Sequence, residues 1–217
     1  MDGNQRWAKK NKLSEKEGYL RGLNNIKEII RISIKLKVKY LTLFALSSEN
    51  IRRKSIFTIF DILLNNSKKL IEEFKHNKEA KIKIIGEKDN LSKDVLNTLT
   101  ELEKTTYKNN KIFLNIAFNY GSNNELVSVF NRILEDYKKT SQTINYKLIK
   151  KHMYLPDIPE PDLLIRTGGF KRLSNFLLLY LSYTELYFSE TLWPDFSEDE
   201  LINIINKYQK IERKYGL

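Results

Sequence analysis

One stretch of the chain, residues 162–176, brings together residue types that bind phosphate groups. Gly168 and Gly169 interrupt an apolar run, which predicts backbone N–H groups that are free to approach a ligand. Around this turn stand Arg166, Lys171, Arg172, Ser174 and Asn175, the last two at the predicted start of a helix. Guanidinium groups, open amides and a hydroxyl at a helix start predict a phosphate or diphosphate site. A solvated basic loop with an ordinary Ser/Asn cap is the alternative that this stretch alone leaves open.

The first seven residues form a second candidate group. Asp2 and Gly3 signal a turn, and Asn4 and Arg6 follow them closely. The carboxylate of Asp2 is suited to hold Mg²⁺ against a diphosphate, because this cation prefers oxygen ligands and commonly uses one or two carboxylates together with phosphate. A disordered N-terminal tail is the other interpretation of these residues.

The order of apolar and amphipathic stretches predicts an α/β fold. Predicted strands cover residues 40–46, 81–86, 111–118, 162–165 and 185–188. Predicted helices cover residues 23–37, 55–74, 92–107, 123–139, 145–152 and 174–183, and a last helix runs from a cap at 197–200 to residues 213–216. Because strands and helices alternate without a linker, we expect a single domain over residues 1–217 with a mainly parallel central sheet flanked by helices. Small polar residues follow two strands, at 47–50 and 119–122, where such folds place ligands.

The helix that Ser55 is predicted to cap is unusually apolar at its start. Seven of the nine residues from Ile56 to Leu64 are apolar, too many for a helix that buries one face only. Either this helix is buried on two sides, or one of its faces lines an apolar cavity.

Composition narrows the class of protein. The chain has no cysteine and only two histidines, His76 and His152, which excludes disulfides and leaves little room for a metal centre built on thiolate or imidazole. Residues 2–12 are polar and do not resemble a signal peptide. The apolar run at residues 176–181 is far below the roughly 18 residues that cross a bilayer. We therefore expect a soluble, cytoplasmic protein.

The formal net charge of +11 fits nucleic acid, an anionic membrane surface or phosphorylated small substrates as partners. A general bias towards lysine, asparagine and isoleucine also explains it. The lysines are spread along the predicted helices without long runs, which argues against an arm that binds nucleic acid.

Seven motifs, in order and nearly over the whole chain, resemble those of the cis-prenyltransferases, and among these the bacterial undecaprenyl diphosphate synthases. They are MDGNQRWA at residues 1–8, LSSEN at 46–50, NIAFNYG at 115–121, LIRTGG at 164–169, RLSNFLL at 172–178, TELYF at 184–188 and LWPDF at 192–196. The resemblance implies repeated condensation of isopentenyl diphosphate with an allylic diphosphate such as farnesyl diphosphate. The implied product is a long-chain cis-polyprenyl diphosphate, namely undecaprenyl diphosphate for the lipid carrier of cell-wall synthesis.

The resemblance also assigns roles to residues. It implies catalytic roles for Asp2 and Asn4 and Mg²⁺ binding by Asp2 with help from Glu185. It implies that the allylic diphosphate is held by Gly3, Asn4 and Arg6, and that the diphosphate of isopentenyl diphosphate is held by Arg166, Arg172 and Ser174. The loop that closes over the substrates would contain Ser47, Glu49, Asn50 and Arg53, and Trp7 would flank the site. Residues 56–64 would line a hydrophobic tunnel for the growing chain. The resemblance also implies a homodimer formed through the helix and strand of residues 176–188. It further implies peripheral contact with the inner face of the membrane through the product.

The chain departs from the family pattern at several positions. Near the N-terminus, Glu15 stands where arginine is common in the family, and Tyr19 replaces the histidine that usually follows a glycine. After Gly169, Phe170 replaces a frequent glutamate, and Lys171 replaces a histidine that can assist the metal. Lys214 stands where arginine is usual, and Ile51 and Lys54 stand where tryptophan and proline are common. Glu15 cannot replace a cation, and a charged Lys171 cannot ligate a metal.

Family members usually carry a strand before the motif at residues 1–4, so we expect a missed start or a trimmed sequence rather than an inactive protein. A non-catalytic partner subunit with the same fold is the main alternative function, although such subunits usually lack the metal-binding aspartate that Asp2 represents. The other alternative function is that of a basic nucleic-acid-binding protein, which would require a contiguous basic face with exposed aromatic residues.

Overall fold

Two parallel sheets and seven α-helices make up the part of the chain that the computed structural model describes, residues 1–140 and 143–212. The strands are β1 (Tyr40–Ser47), β2 (Ala80–Ile85), β3 (Ile112–Tyr120), β4 (Leu163–Arg166) and β5 (Glu185–Phe188). The helices are α1 (Asn4–Lys10), α2 (Glu15–Lys35), α3 (Ile56–Asn77), α4 (Lys93–Thr106), α5 (Ser122–Thr140), α6 (Tyr146–His152) and α7 (Glu198–Tyr208). Short 3₁₀ helices cover Asn50–Arg52, Leu178–Tyr180 and Trp193–Asp195.

All strand pairing is parallel, in the order β1-β3-β2 in one sheet and β4-β5 in the other. The predicted α/β class with helices around parallel strands is confirmed, but the strands form two sheets rather than one continuous sheet. Met1, Leu41 of β1 and Leu163 of β4 all pack against the same core cluster around Trp193 and Ile204. Side-chain packing, rather than a shared ladder of backbone hydrogen bonds, therefore joins the two sheets.

Helix α2 begins eight residues earlier than predicted. Ser14 and Glu17 form a capping box, in which the Ser14 hydroxyl accepts from the Glu17 N–H at 3.3 Å and the Glu17 carboxylate accepts from the Ser14 N–H at 2.8 Å. The predicted cap at Ser55 is wrong, because Ser55 has helical dihedrals and its side chain makes no capping hydrogen bond. Helix α7 begins at the predicted cap and ends at Tyr208, and residues 213–216, with Lys214, lie outside the described residues.

The predicted helix at residues 174–183 is also wrong. Ser174, Asn175 and Leu177 have positive φ angles of 49°, 62° and 50°, which a right-handed α-helix cannot contain. The segment is instead bound to the start of α5. The carbonyl of Asn175 accepts from the N–H of Ser122 at 2.8 Å, and the N–H of Leu178 donates to the Ser122 hydroxyl at 2.8 Å. Only the short 3₁₀ helix Leu178–Tyr180 follows.

A buried carboxylate on α5 forms hydrogen bonds with the segment after residue 174. Glu125 on α5 is fully buried and accepts hydrogen bonds from the hydroxyls of Tyr120 and Tyr180 at 2.6 and 2.5 Å and from the N–H of Tyr154 at 2.7 Å. Burial and the adjacent charge of Glu125 raise the pKa of both tyrosines. Glu125 thus connects β3, α5 and the segment after residue 174.

No helix within residues 1–140 and 143–212 is long and apolar enough to span a bilayer. The apolar start of α3 is largely packed into the core, except for Phe57, which is exposed. Ile56 and Ile62 are 6% and 5% exposed, and the neighbouring apolar residues of α3 pack against a cluster with Leu46 of β1 and Leu99 of α4.

Candidate active site

The basic turn after β4 brings three of the predicted site residues together. The Nη1 atom of Arg166 donates to the Ser174 hydroxyl at 2.8 Å and also to the carbonyl of Arg172, while the Nε atom of Arg172 donates to the same hydroxyl at 3.2 Å. The left-handed conformation of Ser174 turns its hydroxyl back towards Arg166. Two guanidinium groups and one hydroxyl therefore converge at the carboxyl end of β4, a suitable arrangement for a diphosphate.

The glycines of this turn play a different part from the predicted one. Gly168 and Gly169 have positive φ angles of 88° and 80°, which favour glycine. Their N–H groups donate to the carbonyls of Thr191 and Ser189 at 2.8 and 2.9 Å, so they are not free to approach a ligand. The predicted role of these two N–H groups in binding an anion is therefore wrong.

Asp2 lies directly against this basic turn. Arg166 donates from Nε and Nη2 to the Oδ2 atom of Asp2 at 3.1 and 2.8 Å. The backbone of Asp2 is held as well, because its carbonyl accepts from the N–H of Trp193 at 2.9 Å and its N–H donates to the Thr167 hydroxyl at 3.3 Å. Residues 1–7 are thus structured, and the interpretation as a disordered tail is wrong.

One of the two predicted Mg²⁺ ligands fits the site. Both hydrogen bonds from Arg166 end on Oδ2 of Asp2, and the side chain is 39% exposed, so a cation can reach the carboxylate. Glu185 pairs with Leu163, at the end of the β4-β5 ladder opposite to Arg166. Leu163 precedes Arg166 by three residues, which is about 10 Å along the strand. Within the described part of the chain, no group of three or more Asp, Glu, His or Cys residues could hold a metal ion. The structure therefore does not bring Asp2 and Glu185 together in one chain.

Asn4 sits where helix α1 crosses helix α2. Its Oδ1 atom is buried and has no hydrogen-bond partner in the described structure. A Cβ atom on Gly22 would lie 2.2 Å from this oxygen, and a Cβ atom on Gly18 would lie 2.4 Å from the Asn4 carbonyl. The two glycines allow α1 to approach α2 closely at Asn4.

Substitution of Gly22 by alanine is expected to lower kcat about tenfold or more and to lower the free energy of unfolding by about 1–3 kcal/mol. The added methyl group forces Asn4 away from its position. Steady-state kinetics and urea unfolding measure the two effects. The control is Asn24→Ala, an exposed change on the same helix, and equal kcat values for the two variants would contradict the role of this crossing.

Trp7 and Gly3 attach the N-terminal motif to the motif at residues 192–196. The indole N–H of Trp7 donates to Oδ1 of Asp195 at 2.6 Å. Gly3 has a φ angle of 114°, and a Cβ atom there would lie 2.8 Å from the Leu192 side chain. These contacts fix the start of α1, which carries Arg6.

The polar loop after β1 reaches the same edge of the structure. The Ser47 hydroxyl accepts from the N–H of Asn50 at 3.2 Å, and the Glu49 carboxylate accepts from the side-chain amide of Asn175 at 2.8 Å. Burial opposes the charged form of Glu49, but hydrogen bonds from Asn175, its own N–H, Ser47 and Ser48 outweigh it and lower its pKa. Asn175 also accepts from the N–H of Asn123 at 3.0 Å. This linking role of Asn175 was not predicted.

Arg53 lines an open cavity of about 320 Å³. The cavity is lined by Gln5, Glu15, Arg53, Lys54, Ser55 and Thr58. Burial raises the pKa of the adjacent Tyr19, although its hydrogen bonds to Ser55 and Gln5 partly offset that effect. Two of the departures from the family pattern, Glu15 and Tyr19, therefore lie near Arg53.

The small cavity near the apolar start of α3 is not the predicted tunnel, because no described residue of α3 lines it. The cavity next to this cluster, lined in part by Leu91, Leu99 and Phe118, has a volume of about 10 Å³. That volume holds about one water molecule. Packing in the core accounts for most of the apolar residues at the start of α3, but Phe57 is 73% exposed. The tunnel stays a prediction.

The fold and site define a class of protein, an α/β enzyme that places arginines and a carboxylate at the carboxyl edge of parallel strands. The prenyltransferase family model, whose description names undecaprenyl diphosphate synthase, matches residues 1–216. The chain therefore belongs to this family and is a prenyltransferase.

Known relatives cover the whole chain. The isoprenyl transferase of Fusobacterium nucleatum is 39% identical over 100% of this chain and 93% of the relative. The isoprenyl transferase of Rickettsia typhi is 40% identical over 100% of this chain and 95% of the relative. The crystal structure of lavandulyl diphosphate synthase from Lavandula x intermedia, in complex with dimethylallyl diphosphate, is similar with a TM-score of 0.94 at 29% identity, over 100% of this chain and 95% of that one. The resemblance to cis-prenyltransferases is thus confirmed.

Proposed function

We propose that this chain condenses isopentenyl diphosphate repeatedly with an allylic diphosphate such as farnesyl diphosphate, with cis geometry, to give undecaprenyl diphosphate for a lipid carrier of cell-wall synthesis. The observation that carries the proposal is the convergence of Asp2, Arg166, Arg172 and Ser174 at one edge of the fold. The relatives named isoprenyl transferase and the similar synthase with a bound allylic diphosphate support it. These findings weigh against a non-catalytic partner subunit.

The proposed binding of isopentenyl diphosphate rests on charge and hydrogen bonding. Arg166 and Arg172 both donate to the Ser174 hydroxyl, so a diphosphate bound beside it would receive charge-assisted hydrogen bonds from both guanidinium groups. The ion pair with Asp2 holds Arg166 in a fixed orientation before substrate arrives. The group is therefore preorganised, and little reorganisation is needed when the anion binds.

The allylic diphosphate is proposed to bind next to the first turn of α1. Gly3 precedes this helix, and Asn4 and Arg6 lie in its first turn. Mg²⁺ held by Asp2 would act as a Lewis acid that stabilises the leaving diphosphate. The chain's own contribution is to orient the two substrates and to stabilise charge as the allylic C1 gains cationic character, because no nucleophilic side chain is required.

Incorporation of labelled isopentenyl diphosphate into butanol-extractable product tests this function. The purified chain is incubated alone with farnesyl diphosphate and Mg²⁺, and chromatography of the product gives its chain length. A long-chain product with eleven isoprene units supports the full proposal. A shorter product would overturn the undecaprenyl assignment, and a folded chain without any product would indicate the partner-subunit alternative.

We also propose that two copies form a homodimer. Helix α5 carries an exposed apolar stripe, of which Val127, Phe130, Leu134 and Tyr137 are 46–61% exposed. Leu178 and Leu186, within the predicted interface at residues 176–188, are 44% and 46% exposed. That segment contributes a loop, a 3₁₀ helix and β5 rather than the predicted helix. A stripe of this size on a water-facing helix is typical of a surface covered by a partner. The proposed hydrocarbon product would bring the dimer into peripheral contact with the inner face of the cytoplasmic membrane.

Leu134→Glu is expected to convert the dimer to monomer at micromolar concentration, because it places a charge in the middle of the apolar stripe. Sedimentation velocity measures the change in mass. Glu135→Gln, on the same helix, serves as the control and should leave the dimer intact. A monomeric wild-type chain, or a dimer that survives Leu134→Glu, would contradict this proposal.

A further inference from the structure

The aromatic ring of Phe170 lies among three guanidinium groups. The Cζ atoms of Arg172, Arg6 and Arg166 are 4.3, 4.8 and 5.8 Å from the ring centroid. All three distances are within the range of about 6 Å over which a cation is attracted to an aromatic face. Phe170 is 39% exposed, so a substantial part of its apolar surface stays open to solvent.

The three arginines come from different parts of the chain. Arg6 is on α1, beside the proposed allylic diphosphate, whereas Arg166 and Arg172 flank the turn proposed for isopentenyl diphosphate. Phe170 belongs to that turn, so its ring is the element that touches cations of both groups.

The other contacts of these arginines are unequal. Arg166 is held on two sides, by the Asp2 carboxylate and by the Ser174 hydroxyl. Arg172 has its Nε bond to Ser174. Arg6 passes over the backbone of Gly168, where a Cβ atom would lie 2.7 Å from its Nη2 atom. Removal of the ring should therefore affect Arg6 and Arg172 more than Arg166.

We propose that Phe170 is a positioning residue that gathers Arg6, Arg166 and Arg172 on one ring and thereby links the two diphosphate subsites, an inference that rests on the function proposed above. Like charges at these separations repel one another, and the negative face of the ring offsets this repulsion. Glutamate, which is frequent at this position in the family, would also attract the arginines, but its charge would lower the net positive charge of the group. The ring orders the cations without lowering the positive charge that the substrates meet.

Steady-state kinetics of Phe170 variants test this role. Phe170→Leu keeps an apolar side chain but removes the ring, and it is expected to raise the KM for both diphosphates about tenfold, as expected for the loss of two or three cation–π contacts. Phe170→Trp retains an aromatic face and should restore both KM values to within about twofold of wild type. Wild-type KM values for Phe170→Leu, with the same thermal midpoint, would overturn the proposal.

A spectroscopic measurement separates this proposal from the function on which it rests. The side-chain resonances of Arg6 and Arg172 in the free protein should show upfield ring-current shifts in the wild type and in Phe170→Trp, and these shifts should be lost in Phe170→Leu. Titration with inorganic diphosphate should show weaker binding to Phe170→Leu. If the wild type makes no prenyl product while these shifts and binding differences are present, the proposed function fails and the positioning role stands. Absence of the shifts from the wild type would overturn the positioning role alone.

Discussion

Asp2→Ala is expected to lower kcat for prenyl transfer by a factor of about 100 to 1,000. The substitution removes the carboxylate that is proposed to hold Mg²⁺, and it also removes the partner that Arg166 contacts through two nitrogens. Because Arg166 keeps its hydrogen bond to Ser174, the turn at residues 166–174 should retain its conformation. Initial rates at saturating concentrations of both substrates and Mg²⁺ measure the effect.

The matched control is Asp199→Ala, which removes an exposed carboxylate from the first turn of α7. This variant should keep wild-type kcat. The thermal midpoint of Asp2→Ala should stay within a few degrees of wild type, since the side chain is partly exposed. An Asp2→Ala enzyme that is folded and retains more than about a third of the wild-type kcat would show that this carboxylate does not serve the reaction as proposed.

Glu125→Ala is expected to have the largest effect on stability, a loss of about 3–5 kcal/mol in the free energy of unfolding. Alanine leaves two tyrosine hydroxyls and one backbone N–H without the acceptor that they share in a fully buried site. Each unsatisfied donor costs about 1–3 kcal/mol. Glu125→Gln keeps one oxygen acceptor and should lose less. Urea unfolding, with the midpoint and slope compared between variants, measures the differences.

Glu135→Ala, an exposed change on the same helix, controls for the loss of a carboxylate from α5. The variants Tyr120→Phe and Tyr180→Phe remove one donor each and identify the bonds that contribute most. A loss of less than about 1 kcal/mol for Glu125→Ala would mean that the buried carboxylate does not hold this part of the core together.

The strands were predictable because each is a short apolar run bounded by turn residues. The strand at residues 185–188 was predicted with its observed bounds, and the other four within two residues at either end. The start of α2 was missed because its first turns are polar, although Ser14 and Glu17 carry the spacing of a capping box. The helix at residues 174–183 was predicted from an apolar run after a Ser-Asn pair. Hydrogen bonds to Ser122, distant in the chain, select a different backbone there.

The site was predictable in its residue types but less so in its contacts. The pairing of Asp2 with Arg166 and the sharing of Ser174 by two arginines are consistent with the predicted anion site. The N–H groups of Gly168 and Gly169 donate to the carbonyls of Thr191 and Ser189, which lie about twenty residues further along the chain. Local sequence patterns do not indicate such a contact. The ring of Phe170 likewise meets Arg6 only in the folded chain, and no local spacing indicates that contact.

A crystal structure of the chain with Mg²⁺, isopentenyl diphosphate and an unreactive thio-analogue of farnesyl diphosphate would test the central claim most directly. We predict that the diphosphate of isopentenyl diphosphate contacts Arg166, Arg172 and Ser174, and that the allylic diphosphate contacts Gly3, Asn4 and Arg6 with the cation on Asp2. Binding of both diphosphates away from the turn at residues 166–174 would contradict this assignment of the active site.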